Sequence, residues 1–184
     1  MTYIHPLDPA QAEGRSKELL EAVKAKLGAT PNILRTMAHA PTVLEGYLAF
    51  SGALSKGTLP GRLIEQIALL VAEKNGCDYC LAAHTAISNR MGLSAEGARQ
   101  TRLAKSEDGK TQAVLTFTSR LLGQKGAASE GDISLLRLAG FYDNQIVEIL
   151  GVIGLNMFTN YLVKAAGTEI DFPRVDQVDT RFVY

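Results

Sequence analysis

The sequence predicts an all-α fold in a single domain. Apolar residues recur at helical spacing in several segments, glycines and prolines mark the ends of those segments, and no stretch alternates between apolar and polar residues over the length of a β-strand. The chain has 184 residues, of which 46% are hydrophobic and 21% charged, and this is sufficient for a buried core. We expect one domain over residues 1–184, with N-terminal helices in 1–57, a central helix pair in 58–93, and C-terminal helices and a tail in 94–184.

Three helices are predicted in the N-terminal segment. Asp8-Pro9 places a capping acceptor before a proline, and the helix that it opens is expected to end at Gly28. Thr30-Pro31 repeats this pattern and predicts a short helix to about His39. A third helix after Pro41 is indicated by apolar residues at helical spacing, namely Val43, Leu44, Tyr47, Leu48 and Leu54.

The central segment is predicted to form two helices separated by a turn. Thr58 is a candidate cap for a helix over residues 60–74, whose buried stripe consists of Leu63, Ile64, Ile67, Ala68, Leu70 and Val71. Asn75-Gly76 is a typical turn pair and should end this helix. The next helix is expected to begin near Cys77 and to end close to Gly92.

Four further helices are predicted in the C-terminal segment. Ser94 caps a short one, and longer ones are expected over residues 110–122, 130–139 and 143–166, with ends marked by Gly123, Gly140 and Gly167. Residues 64–83 match residues 147–166 in apolar pattern without gaps, and Glu65 then falls on Glu148. This pattern is compatible with a degenerate internal duplication.

Charge and hydropathy exclude some partners. The chain has 19 Lys and Arg residues against 19 Asp and Glu residues and no basic run, so we expect neither nucleic acid nor a membrane surface as a partner. The N-terminus lacks the features of a secretory signal, and the apolar stretch 146–158 is interrupted by Glu148 and Asn156 and is short for a membrane span. We therefore expect a cytoplasmic protein, in which two cysteines are not expected to serve as a structural disulfide.

The most informative motif is Cys77-Asp78-Tyr79-Cys80, followed by His84. On a helix, Cys77, Cys80 and His84 share one face, because positions 77, 80 and 84 lie within roughly 60° of one another. Three interpretations are open: a redox dithiol, a metal site, or two small buried hydrophobic residues. Zinc would take the two thiolates and the imidazole, with Glu65 as fourth ligand. Because no second ligand pair exists elsewhere, we expect no metal and no cofactor, and we favour the redox dithiol.

The position of this motif favours thiolate chemistry. Free backbone N–H groups at a helix start stabilise a thiolate, and the His84 imidazole can accept the thiol proton or stabilise the anion. Glu65, on the preceding helix, is a candidate to orient His84. One thiolate would attack a peroxide and become a sulfenic acid, and the second would condense with it to form a disulfide. An external thiol must then reduce that disulfide.

The spacing of Glu65, Cys77, Cys80 and His84 resembles the E-x(11)-C-x-x-C-x-x-x-H signature of the AhpD alkylhydroperoxidases, in the carboxymuconolactone decarboxylase-like superfamily. The resemblance is strongest over residues 58–93, and the segment around Asp171-Phe172-Pro173 looks like the peroxidase-related branch. It implies an AhpD-like helical bundle, a thiol-dependent peroxidase, and homo-oligomers, commonly trimers or hexamers. It also implies that Cys80 is the accessible peroxidatic thiol, Cys77 its disulfide partner, and Glu65 with His84 the proton relay.

The motif departs from that signature at Tyr79, where AhpD proper has a histidine. A tyrosine is not a base near neutral pH, so this change leaves the identity of the substrate and of the reductant open. Chemistry at helix starts would by itself favour Cys77 as nucleophile, which leaves the order of the two thiols open as well. Two other functions stay in view: a decarboxylase acting on a carboxylated lactone, and a non-catalytic thiol redox sensor. Further candidates for pocket residues are Tyr47, Tyr79, Asn156, Asn160 and Tyr161.

Overall fold

The computed structural model describes residues 1–178, which form α-helices and no β-strand. The all-α prediction is therefore confirmed. A 3-10 turn at Pro9–Gln11 is followed by nine helices: α1 Gly14–Leu27, α2 Asn32–Met37, α3 Pro41–Leu54, α4 Gly61–Lys74, α5 Asp78–Arg90, α6 Ala95–Arg102, α7 Gly109–Gly123, α8 Glu130–Leu138 and α9 Asp143–Ala166.

Helix α4 lies at the centre of the bundle, where it packs against α5, α6, α7 and α9. It is buried on most sides, as expected for a helix that is apolar beyond a single stripe, and its fully buried residues include Ile67, Leu69, Leu70 and Val71. Its apolar side chains join those of α7, α8 and α9 in the largest core cluster. Helices α1, α2 and α3 form a second cluster.

Helix α9 spans 24 residues and is long and apolar enough, by length and composition alone, to cross a membrane. Within the bundle, however, its residues Ile146, Ile149, Val152 and Ile153 are part of the main core, packed with α4. Core helices of soluble proteins meet the same criterion of length and composition, and 44% of the apolar window of α9 is buried in the bundle.

Three helix starts differ from the prediction. Thr30 does not cap α2, whose N-cap residue is Pro31 and which has no side-chain cap. The first helix does not run from Pro9, because Ala12 and Glu13 are extended and Gly14 has φ +52°, so that Asp8 caps only the short turn. Thr58 does not cap α4 through its side chain; instead its N–H donates to Glu148 Oε2 at 2.8 Å, and the N–H of Leu59 donates to the same oxygen at 3.1 Å. A carboxylate on α9 thus satisfies the backbone before α4.

The proposed internal repeat remains a prediction. Residues 64–83 are interrupted by the turn at Asn75 and Gly76, whereas residues 147–166 lie in the continuous helix α9. The two segments therefore share an apolar pattern but differ in backbone path.

The segment after α9 crosses back over the bundle; we call residues 169–178 the C-terminal strap. Gly167 ends α9 in the left-handed conformation, at φ +62°, as predicted for this glycine. Polar contacts attach the strap at both ends. Near its start, the N–H of Asn32 donates to Asp171 Oδ2 at 2.7 Å. Towards its end, Gln177 Nε2 donates to Asp78 Oδ1 at 2.8 Å.

A buried ion pair lies under the far end of the strap. Arg102 Nε donates to Glu73 Oε2 at 2.7 Å, and the two side chains are only 8% and 6% exposed. The other oxygen of Glu73 accepts the N–H of Val178 at 2.9 Å, and Arg102 donates to the carbonyl of Asp176. The pair therefore connects α4, α6 and the strap.

Candidate active site

Cys77 and Cys80 are joined as a disulfide at the start of α5, with their Cα atoms 5.3 Å apart. Cys77 is the N-cap residue of α5, and its sulfur accepts the N–H of Cys80 at 3.4 Å. Cys80 lies in the first turn, where backbone N–H groups have no helical partner. The break after α4 at Asn75 and Gly76, which was predicted from the sequence, sets this start. Both sulfurs thus lie at the helix end that favours a thiolate.

The two cysteines differ in what they face. Cys80 lines a cavity of about 340 Å³ between α1, α2, α3, α4, α5 and α9, near the lower end of the roughly 300–1,000 Å³ typical of ligand pockets. Cys77 is 1% exposed and does not line this cavity. Its sulfur lies in a small apolar cluster with Ala72, Leu81 and Val163.

His84 and Glu65 form a hydrogen-bonded pair in the wall of the same cavity. His84 lies one turn after Cys80 on α5, and its Nδ1 is 2.8 Å from Glu65 Oε2 on α4. The side chains are 20% and 13% exposed. An ionised carboxylate can only accept, so Nδ1 carries the hydrogen and Nε2 is left to accept a proton. Periodicity alone did not reveal that Glu65 points towards His84.

Tyr79 is a structural contact in this site. Its phenolic oxygen accepts the N–H of Ile33, in the first turn of α2, at 3.1 Å, and its ring lies edge-on to Phe172 of the strap, with centroids 5.7 Å apart and planes at 88°. Burial raises the pKa of Tyr79 strongly, and the nearby Asp171 carboxylate adds to this shift. The phenol therefore stays neutral and is no base at physiological pH.

The remaining pocket candidates divide into two groups. Tyr47 and Asn156 line the cavity with Cys80. Burial raises the pKa of Tyr47, the hydrogen bond with Ser51 partly opposes this shift, and the charge of Glu65 adds to it. Asn160 is fully buried and accepts a hydrogen bond from Asn75 at 2.9 Å, which is a packing role. Tyr161 is exposed and lies outside the cavity.

Two features of the cavity were missed by sequence reasoning. Phe172 forms part of its wall, although this residue lies 92 positions after Cys80, and nothing local in the sequence indicates such a contact. Leu155 on α9 contributes apolar surface in the same way. As for metal ions, residues 1–178 contain no cluster of three or more His, Cys, Asp or Glu side chains arranged to hold one.

The arrangement has the parts of a thiol redox centre. A disulfide can be reduced to two thiols, one of which faces a cavity, and a histidine one turn away is oriented by a carboxylate. Such a pair can take the proton from a thiol, and the helix start stabilises the resulting anion.

Comparison with known proteins places these residues in a family context. Residues 41–119 match the model of the carboxymuconolactone decarboxylase family, a range that contains Glu65, Cys77, Cys80 and His84 but neither α9 nor the strap. No functionally curated protein matches the chain in sequence.

Solved structures resemble the chain over most of its length. An uncharacterized peroxidase-related protein from Silicibacter sp. TM1040 is 25% identical, with a TM-score of 0.81 and 91% of each chain covered. An uncharacterized peroxidase-related protein with an alkylhydroperoxidase AhpD core, from Ralstonia eutropha JMP134, is 24% identical, with a TM-score of 0.81 and 91% of this chain and 93% of that chain covered. The debrominase Bmp8 has the same fold at 19% identity, with a TM-score of 0.76 and 93% of each chain covered.

Proposed function

We propose that this chain, whose residues 41–119 match the carboxymuconolactone decarboxylase family model and which has the AhpD-like fold, is a thiol-dependent peroxidase that reduces hydroperoxides. The observation that carries the proposal is the Cys77–Cys80 disulfide beside the hydrogen-bonded pair of His84 and Glu65. Cys80, His84 and Glu65 share one cavity, so a substrate bound there would meet the thiol and its base together.

The first step is oxidation of Cys80. His84 accepts the Cys80 thiol proton, and Glu65 stabilises the imidazolium that forms. The thiolate attacks the nearer oxygen of the hydroperoxide and the O–O bond breaks, so that Cys80 becomes a sulfenic acid. The departing alkoxide takes the proton from His84 and leaves as an alcohol.

The second step is closure of the disulfide. The Cys77 thiol condenses with the Cys80 sulfenic acid, which releases water and gives the Cys77–Cys80 disulfide. The net reaction consumes two thiols and one hydroperoxide and yields a disulfide, an alcohol and water. An external thiol or protein dithiol then reduces the disulfide through a mixed disulfide.

A single-turnover experiment tests the proposal. The protein is reduced, separated from reductant and mixed with one equivalent of tert-butyl hydroperoxide, and its free thiols are counted. Mass spectrometry of tryptic peptide 75–90 should show the loss of two hydrogens that links Cys77 to Cys80.

Two variants complete this test. Cys77→Ser should stop at a sulfenic acid on Cys80 that dimedone traps, because the condensing thiol is missing. Cys80→Ser should lose thiol-dependent turnover. Full turnover by Cys80→Ser would overturn the mechanism.

Decarboxylation of a carboxylated lactone is the second candidate. It is favoured by the match of residues 41–119 to the carboxymuconolactone decarboxylase family. That reaction needs no dithiol. Decarboxylation that survives in the Cys77→Ser/Cys80→Ser double variant would establish it in place of peroxide reduction.

A non-catalytic redox sensor would use the same thiols. It would form the disulfide once but would not cycle. Sustained consumption of hydroperoxide in the presence of dithiothreitol therefore distinguishes the peroxidase from the sensor.

The proposal includes a cellular setting. The peroxidase works in the cytoplasm, where reduced thiols regenerate the dithiol, and it assembles as a trimer or hexamer. Its partners are the hydroperoxide and a thiol reductant, without nucleic acid or membrane. Size-exclusion chromatography with light scattering measures the assembly.

A further inference from the structure

Phe172 is the residue of the strap that reaches the cavity of Cys80. It lines this cavity together with Tyr79, His84 and Leu155, and it packs on the apolar cluster that contains both cysteines. It lies outside the range that the family model matches. The strap therefore adds an aromatic wall to a site whose chemical groups come from α4 and α5.

The ring of Phe172 is held in a defined orientation by Tyr79. The two rings meet edge to face, with centroids 5.7 Å apart, an arrangement that aromatic pairs favour. Tyr79 is itself fixed, because it is 4% exposed and its oxygen accepts the N–H of Ile33. Tyr79, which stands where AhpD proper has a histidine, thus supports a wall of the cavity.

The strap is attached independently of Phe172. Asp171 accepts the N–H of Asn32, Gln177 donates to Asp78, and Val178 donates to the buried Glu73. These contacts lie on both sides of Phe172 along the chain. A change in the size of residue 172 should therefore alter the cavity while the strap stays attached.

We propose that Phe172 is a specificity-determining residue, whose ring limits the size of the electrophile that can reach the Cys80 sulfur. The inference rests on the proposed function only in that it takes Cys80 as the reacting thiol. The cavity is small and its lining is mostly apolar. Its charged and titratable lining groups, Lys26, Glu65 and His84, meet every substrate of the same chemistry alike, so the shape of the cavity selects between such substrates. A smaller residue 172 admits bulkier groups, and a larger one excludes them.

The test measures access to Cys80 without requiring peroxide turnover. The reduced protein is alkylated with N-methylmaleimide or N-cyclohexylmaleimide, which share one reactive group and differ in bulk. Fragmentation of tryptic peptide 75–90 gives the rate at Cys80 for each reagent. The alkylation rate with the bulky reagent is divided by the rate with the small reagent. This rate ratio is compared in the wild type and in Phe172→Ala, Phe172→Leu and Phe172→Trp.

The ratio should follow the size of residue 172. We expect Phe172→Ala to raise it about tenfold or more, on the scale at which a pocket discriminates by one or two methylenes. Phe172→Leu should give an intermediate value, and Phe172→Trp a value below that of the wild type. The ratio of kcat/KM for cumene hydroperoxide to that for hydrogen peroxide should change in the same order.

Val175→Ala is the matched control, because Val175 belongs to the strap but lines a separate hollow beside Asp78 and Arg174. Hydrogen exchange at Val178, whose N–H is bonded to Glu73, reports whether the strap stays attached. A ratio that does not vary through the series, or that changes as much in Val175→Ala, overturns the inference. Failure of the peroxidase proposal shows separately, as absence of disulfide formation with hydroperoxide.

Discussion

Glu65 and His84 lie on different helices, 19 positions apart in sequence, and the carboxylate Oε2 of the first is 2.8 Å from Nδ1 of the second. The contact joins α4 to α5 beside Cys80. It orients the imidazole so that Nε2 is the nitrogen available for proton transfer.

The Glu65→Gln variant should oxidise more slowly. The amide can still accept from Nδ1, but it carries no charge to stabilise the imidazolium. We expect the rate of disulfide formation with hydroperoxide to fall about ten- to a hundredfold, which is less than the roughly 10²–10⁴-fold effect of a general base itself. Acid quenching and mass spectrometry of peptide 75–90 measure this rate. Glu107→Gln, at an exposed position, is the control, and equal rates in the two variants would contradict the relay.

The Tyr79→Phe variant should be less stable although it keeps the ring. The N–H of Ile33 loses its acceptor at a part-buried position, and such a loss costs about 1–3 kcal/mol. Because the chain contains no tryptophan, urea unfolding is best followed by far-UV circular dichroism, with the disulfide intact. Tyr161→Phe, at an exposed site, should change the unfolding free energy by less than about 0.5 kcal/mol. Equal stability of the two variants would contradict the role of the phenol.

Alkaline pH should destabilise the wild type more than Tyr79→Phe. Burial raises the pKa of Tyr79 in the folded protein, whereas in the unfolded chain the phenol ionises near pH 10. The unfolded state therefore binds fewer protons above about pH 10, and stability falls as pH rises, by up to about 1.4 kcal/mol per pH unit for this group. Below pH 10 the contribution is fully present. Urea unfolding at about pH 8 and about pH 11 measures the fall in unfolding free energy of each protein. An equal fall in the wild type and in Tyr79→Phe would contradict the role of the Tyr79 phenol.

Arg102→Met should be strongly destabilising. The change leaves Glu73 buried without its counter-charge, and breaking one side of a buried pair costs about 3–5 kcal/mol. The double variant Arg102→Met/Glu73→Met should recover part of this loss, because no buried charge remains. Urea unfolding of the wild type, Arg102→Met, Glu73→Met and the double variant gives the coupling free energy.

Arg137→Met is the control for this cycle, since its pair with Asp143 is exposed on both sides and should contribute little. Equal unfolding free energies for Arg102→Met and Arg137→Met would show that the buried pair of Arg102 and Glu73 does not stabilise the fold.

The helices were predictable where their signals are local. Gly28 and Gly167 end helices in the left-handed conformation, which their residue type allows at no steric cost. The cap at Ser94 is likewise confirmed by its contact with the N–H of Gly97. Thr58 was wrong as a cap because a carboxylate 90 positions away, Glu148, takes the N–H groups that precede α4. Propensity carries no information about such a partner.

The candidate site follows the same rule. The spacing of Cys80 and His84 brings both to the cavity wall, because they lie one turn apart on α5. The predicted common face does not include Cys77, which is the extended N-cap residue and lies outside the cavity. The contact between Glu65 and His84 depends on how α4 packs on α5, and the position of Phe172 depends on the path of the strap. Periodicity describes one element at a time, so neither contact follows from it.

The strap also affects the order in which the site is completed during folding. Asp171 accepts the N–H of Asn32, which lies 139 positions earlier in the sequence. Phe172 contacts Tyr79, which lies more than ninety positions earlier. Contacts of such high sequence separation require closure of a long loop, whose entropy cost opposes their formation. We therefore expect the strap to dock late in folding. On the ribosome, all nine helices are synthesised before Phe172 emerges. While the strap is undocked, the cavity lacks the wall that Phe172 contributes, so we expect size selection by this residue to begin only after the strap has docked.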